Sequence, residues 1–158
     1  MNKALFLDRD GTINIDTGYV HEPECFEFIN GIFEFCRAAQ DKGFLIIVIT
    51  NQSGIERGYF TEDDYEATTR HMVSEFAQHG ITITDVLHCP SLSGPDRKPA
   101  PGLFIKARNK YNIDMSRSIN LGDKDRDMQA GRAAGITTNI LFTGTFPDFD
   151  DIPILLTP

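Results

Sequence analysis

Short apolar runs alternate with amphipathic segments of helical period along most of this chain, and that order is satisfied by a parallel sheet covered by helices on both faces. Residues 4–7 form the first run, followed by a helical pattern near 31–42, an apolar run at 44–49 and a second helical pattern near 62–79. In the first helix Ile32, Phe35, Cys36 and Ala39 share a face, with Asn30 as candidate N-cap and Gly43 as the stop. The second begins at Thr61, with Asp64 completing a capping box, and buries Tyr65, Thr69, Met72, Val73 and Phe76. A third strand is expected at 84–87, and Pro101 then opens a helix carrying Leu103, Phe104, Ala107 and Tyr111. Residues 118–121 read as a fourth strand, followed by a short helix rich in Ala and Gly up to Gly135 and a fifth strand at 138–142. After Gly144 the prolines Pro147, Pro153 and Pro158 predict a surface wrap with at most one short edge strand. The expected architecture is a three-layer α/β/α, Rossmann-like domain with a mostly parallel central sheet, spanning 1–158 as one unit.

With 158 residues, 41% of them hydrophobic, the chain has apolar material for one real core. Its formal net charge of −8 argues against a duplex nucleic acid partner, because phosphates demand a basic face. Any anion it binds must therefore meet local cations or a metal. Cys25, Cys36 and Cys89 form no C-x-x-C pair, and their odd number predicts reduced thiols with packing roles in a cytoplasmic protein. No apolar run is long enough to span a bilayer, so no membrane partner is expected. A monomer is expected.

The chemistry gathers at the strand ends. Asp8-Arg9-Asp10-Gly11-Thr12 follows the first run directly, placing two carboxylates at a strand mouth, where repulsion and desolvation make them costly unless they serve a cation or a reaction. An acidic turn with a glycine is the plain alternative for this segment taken alone. Thr50-Asn51-Gln52 ends the second strand, Arg97-Lys98 follows the third, and Asp123 and Asp127 follow the fourth. In a parallel sheet all of these share the carboxyl edge. A hard divalent cation takes oxygen ligands, and Asp8, Asp123 and a backbone carbonyl near Asp10 can supply them; magnesium fits this set. For a phosphoryl group the Thr50 hydroxyl, the Asn51 amide region and the Lys98 ammonium provide donors.

At these residues the chain resembles the haloacid-dehalogenase superfamily of phosphatases, whose motifs DxDGT, a strand-terminal Thr or Ser, a Lys and GDxxxD stand here as residues 8–12, Thr50, Lys98 and residues 122–127. Narrower matches are Gly18-Tyr19-Val20 with Pro23-Glu24, the segment TNQSGIERGYF at 50–60, and RKPAPG at 97–102. These are similar to the D-glycero-D-manno-heptose-1,7-bisphosphate phosphatases and the related histidinol-phosphate phosphatases. Between Asp8 and Thr50 there is only a loop and one helix, so no cap domain is expected; the resemblance implies a magnesium-dependent hydrolysis through an aspartyl-phosphate, with Asp8 as nucleophile and Asp10 as general acid and base. It further implies that Thr50 and Lys98 stabilise charge on the transferring group and that Asp8, Asp10 and Asp123 hold the metal. Asp127 is read as an auxiliary carboxylate, a helix cap or a purely structural group. The expected substrate is a small phosphorylated sugar, the 7-phosphate of the heptose bisphosphate foremost. Histidinol phosphate, another sugar phosphate and a catalytically idle phosphate-ester binder are the alternatives.

Such relatives carry a zinc loop before the RKP motif, whereas residues 88–96 here offer only His88 and Cys89, short of the four ligands of a structural site. Zinc is not expected. Arg97 and Lys124 adjoin motif residues and are candidates, with Asn51 and Lys98, for substrate contacts, surface charge being the plain reading. Arg9 and Arg57 flank the site, to meet a second phosphate or simply to be exposed. His21 lies in the loop after the first strand, as a rim contact or an ordinary loop residue, while His71 and His79 are expected to be solvated.

Overall fold

A computed structural model describes residues 1–153. Its sheet comprises β1 (Ala4–Leu7), β2 (Leu45–Asn51), β3 (Asp85–Cys89), β4 (Ile119–Gly122) and β5 (Thr138–Leu141), in the spatial order β3-β2-β1-β4-β5. Every neighbouring pair is parallel. The helices are α1 (Ile32–Asp41), α2 (Glu62–Gln78), α3 (Gly102–Tyr111) and α4 (Asp125–Ala133). This is the three-layer arrangement that the alternating pattern predicts. No helix among the described residues is long and apolar enough to cross a membrane.

The reason β1 is apolar at every position is visible in the two cores. Successive side chains of a strand point to opposite faces. Leu5 and Leu7 join one core with Phe35 of α1 and Met72 and Phe76 of α2, while Ala4 and Phe6 join the other with Phe104 and Ala107 of α3 and Ala130 of α4. A strand buried on both sides has no position left for a polar residue. Burying each Leu or Phe contributes roughly 1.5–3 kcal/mol, so the central strand is held firmly up to the point where Asp8 follows it.

Local signals explain most element ends. Thr61 Oγ1 accepts from the Asp64 N–H at 3.1 Å while the Asp64 carboxylate accepts from the Thr61 N–H at 2.9 Å, the expected capping box. Gly43, at φ 84°, stops α1 in a conformation that L side chains avoid. Asn30, however, is not the N-cap of α1. Gly31 occupies that position in the left-handed region, without a side-chain cap. On α2 Tyr65, Met72 and Phe76 are buried as expected, but it is Thr68 rather than Thr69 that joins them, and Thr69 and Val73 at the edge of the stripe are half-buried. Strand β3 runs on to Cys89 because its backbone pairs with β2 as far as Asn51. After β5 the described chain forms no further strand; Phe142, Phe149 and Ile152 fold back onto the first core. Pro158, part of the predicted wrap, lies outside the described residues.

Since the strands are parallel, their carboxyl ends all open on one edge. The chain leaves β1 toward β2 and β3 on one side and returns to β4 and β5 on the other, which puts the topological switch at the end of β1.

Candidate active site

Asp8 is the first residue beyond β1, and its N–H donates to the Leu121 carbonyl of β4 at 3.1 Å, so the backbone that carries its carboxylate is fixed by the sheet. Facing it is Lys98, only 2% exposed, whose Nζ lies 2.9 Å from Asp8 Oδ1, 2.7 Å from Asp127 Oδ1 and 2.6 Å from the Ile49 carbonyl. Burial works against the Lys98 charge, but Asp8 and Asp127 outweigh it and hold the ammonium above its ordinary range. For Asp8 the balance goes the other way. Burial, then the nearby Asp127, push its carboxyl well above the usual carboxylate range, with Lys98 opposing.

Asp123, from the end of β4, completes an acidic cluster. One oxygen each from Asp8, Asp123 and Asp127 lie within 4.8 Å of one another, and Asp123 Oδ1 is buried without a hydrogen-bond partner. Three carboxylates against a single buried ammonium leave an excess of negative charge. An orphaned buried oxygen and hard oxygen donors are what a divalent cation such as magnesium would satisfy. Gly11 is required for this approach: at φ 88°, a Cβ there would lie 2.1 Å from Asp123 Oδ2. Asp127 serves twice. Its Oδ2 accepts from the Lys124 N–H at 3.0 Å, capping α4, while Oδ1 pairs with Lys98.

Asp10 is clamped by three side chains. Its Oδ1 accepts from Arg9 Nε at 3.1 Å, Arg9 Nη2 at 2.9 Å and Asn14 Nδ2 at 2.9 Å, and its Oδ2 from Gln52 Nε2 at 2.9 Å. Gln52 also donates to the Thr50 hydroxyl at 3.0 Å, so Thr50, 1% exposed, stands behind the amide rather than at the surface. Asn51 binds the Lys98 backbone reciprocally, donating to its carbonyl at 3.1 Å and accepting from its N–H at 3.0 Å. That pair sets the loop that delivers Lys98.

At this cluster opens a cavity of about 320 Å³ whose lining includes the carboxylates Asp8, Asp10 and Asp16 and the cations Arg57, Arg97, Lys124 and Arg126. Arg97 and Lys124 thus reach the cavity with Asn51, as their neighbouring motifs predict. A larger cavity of about 620 Å³, between the start of α1 and the segment 144–149, contains none of the motif residues. It is walled by groups such as Phe35 and Phe146, and chemistry rather than size identifies the smaller one.

Several residues differ from their sequence reading. Arg9 is neither exposed nor at the rim; it is 1% exposed and turned inward onto Asp10, with Phe26 packed against it. Cys25 is exposed rather than packed. His21 lies flat on Phe60, with ring centroids 5.0 Å apart, and its Nδ1 is 2.7 Å from the Tyr19 carbonyl. His79 is exposed as expected, with its ring stacked on Phe33, whereas His71 is half-buried and meets Phe26 edge-on. His88 pairs with Glu62 at 2.9 Å and stacks on Tyr65, and buried Cys89 sits 3.8 Å from the Ser91 carbonyl. Asn14, Arg126, Asp16 and the clamping role of Gln52 were not singled out from sequence; only Gln52 carried a signal, as part of the polar strand end.

The geometry has known counterparts. Residues 96–151 match a family model described as HAD-hydrolase-like. The chain is 50% identical over 140 residues to the D-glycero-alpha-D-manno-heptose-1,7-bisphosphate 7-phosphatase of Campylobacter jejuni, covering 88% of this chain and 81% of that one. It is 45% identical over 148 residues to the D-glycero-beta-D-manno-heptose-1,7-bisphosphate 7-phosphatase of Vibrio cholerae, with 87% and 80% covered. Among solved structures, the D,D-heptose 1,7-bisphosphate phosphatase of B. bronchiseptica, complexed with magnesium and phosphate, superimposes with a TM-score of 0.81 at 29% identity, over 86% of this chain and 78% of that one.

Proposed function

The chain belongs to the haloacid-dehalogenase-like phosphatases, within the family of heptose-1,7-bisphosphate 7-phosphatases, and from that membership we propose that it removes the 7-phosphate from a D-glycero-D-manno-heptose 1,7-bisphosphate, with Asp8 as the nucleophile. Asp8 at the floor of a cavity ringed by cations, with Lys98 2.9 Å away, is the observation that carries this reading. An Asp8 oxygen attacks phosphorus in line, and the ester oxygen departs with the bonding electrons while taking a proton from Asp10. Asp10 then accepts a proton from a water that attacks the aspartyl-phosphate. Lys98 and Thr50 stabilise the negative charge on the transferring group, and Asn51 holds the Lys98 loop. Arg97 and Lys124 receive the remote phosphate or the sugar.

Asp8, Asp123 and the Asp10 main chain would hold magnesium, which supplies Lewis-acid stabilisation of phosphoryl charge when bound; Asp127 orients Lys98 beside it. The domain works uncapped as a cytoplasmic monomer, with loop residues such as Asp16, Tyr19 and Arg57 giving specificity. Its other partners do not include nucleic acid or membrane, in keeping with a net charge of −8.

The test is phosphate release with magnesium from both anomers of heptose 1,7-bisphosphate, from the 7-phosphate alone, from histidinol phosphate and from a 3′-phosphorylated oligonucleotide. Relatives at 50% and 45% identity are named for opposite anomers, so both belong in the panel. Faster turnover of a heptose bisphosphate than of the rest is expected. Preference for histidinol phosphate would overturn the substrate assignment, and an undiminished rate in Asp8→Asn would overturn the nucleophile.

A further inference from the structure

Arg9 is the largest fully buried side chain of the described protein, and the reaction outlined above gives it no role. Burying a guanidinium is expensive, and the fold does not recover that cost through long-range pairing. Its ionic partner is the adjacent residue, Asp10, met through a fork of Nε and Nη2 on Oδ1 at 3.1 and 2.9 Å with Nη2 also 3.1 Å from Oδ2. An ion pair between chain neighbours does not join elements; it orients a carboxyl group. The remaining contacts reach the loop that walls the cavity: Nη2 donates to the Val20 carbonyl at 2.6 Å, and the guanidinium lies 5.7 Å from the centre of the Phe26 ring. Gly18 and Tyr19, just before Val20, line the cavity beside Asp10.

We propose that Arg9 is a positioning residue for the proton transfer, holding the Asp10 carboxyl toward the departing ester oxygen and tying it to the loop that meets the substrate. This rests on the assignment of Asp10 as acid and base. In the first step Asp8 bonds to phosphorus, the phosphorus–ester bond breaks, and the Asp10 proton moves to the ester oxygen. The Asp10 carboxylate left behind sits in the Arg9 fork, which neutralises it. In the second step the carboxylate takes a proton from the attacking water, the bond from Asp8 to phosphorus breaks, and inorganic phosphate leaves. A lysine would keep the charge but not the fork, because its ammonium is a single point donor.

Leaving-group dependence distinguishes this role from a purely structural one. An alkyl phosphate needs its oxygen protonated as it leaves; p-nitrophenyl phosphate does not. Arg9→Lys and Arg9→Met are compared with Asp10→Asn by kcat/KM on the heptose bisphosphate and on p-nitrophenyl phosphate, since kcat/KM reports steps up to formation of the aspartyl-phosphate. A general acid contributes about 10²–10⁴-fold, so a loss of about 10-fold or more on the sugar phosphate is expected for the Arg9 variants, with less than about 3-fold on the aryl ester. Thermal melting monitors folding. Equal losses on both substrates, or failure of both Arg9 variants to fold, would overturn the positioning role. If Asp10→Asn shows the split and the Arg9 variants do not, the role of Arg9 falls while that of Asp10 stands. If Asp10→Asn itself shows no split, the acid assignment fails.

Discussion

The floor and the rim of the cavity use charge in opposite ways. On the floor Lys98 and Asp127 are each 2% exposed, and Lys98 is fixed by Asp8, by Asp127 and by the Ile49 carbonyl, while Asp123 keeps a buried oxygen without a partner. At the rim Arg57, Lys124 and Arg126 are exposed and Arg97 is half-buried, its Nη1 3.3 Å from the Ser91 carbonyl. Buried charges interact strongly, and removing one changes the balance of those around it, whereas solvated ones are screened and individually weak. The floor is therefore suited to chemistry, where every group is needed. The rim is suited to graded recognition.

The steepest test of that contrast is Asp8→Asn. It is expected to lower turnover by about 10⁴-fold or more while the thermal midpoint stays level or rises, because burial and Asp127 already disfavour the Asp8 charge. Phosphate release and a melting curve check both halves. Lys98→Met should cut turnover by about 10²–10³-fold and, unlike Asp8→Asn, destabilise the protein by about 3–5 kcal/mol in urea, since Asp8 and Asp127 lose their shared cation. Magnesium should raise the melting temperature of the unmodified protein, with a stabilisation of about 2.7 kcal/mol at a hundred times its Kd. Asp123→Asn should abolish most of that shift; an unchanged shift would place the metal elsewhere. At the rim, Arg97→Ala or Lys124→Ala is expected to raise KM for the bisphosphate about 10-fold, with kcat nearly intact, and stability within about 0.5 kcal/mol of the parent. High salt should reproduce part of the KM effect at the rim but not the losses on the floor. Smallest is Thr61→Ala, outside the cavity lining, which should cost about 1 kcal/mol through the lost cap and leave turnover alone.

Much of the site was legible because its residues lie at strand ends, and strand ends follow from hydrophobic pattern. Asp8, Asn51, Lys98 and Asp123 converge as the alternation of strands and helices requires. The inward turn of Arg9 was not legible because a charged residue between two strand-end carboxylates gives no local sign of which way it turns; only the fold back of Val20 and Phe26 over it decides that. Asn30 failed as a cap for a related reason. It has the right chemistry, but the backbone turns at Gly31, and a cap is a matter of dihedral angle as well as of side chain.

What the chain alone determined was the order of its elements and the set of groups brought to one sheet edge, because strand and helix periods are local properties that each segment carries with it. Which carboxylate shares the lysine, which is clamped by Arg9, Asn14 and Gln52, and where four cations close around a cavity were decided only by tertiary structure. These depend on distances of a few ångströms between residues far apart in the chain, ninety positions for Asp8 and Lys98, and no local period encodes such a distance.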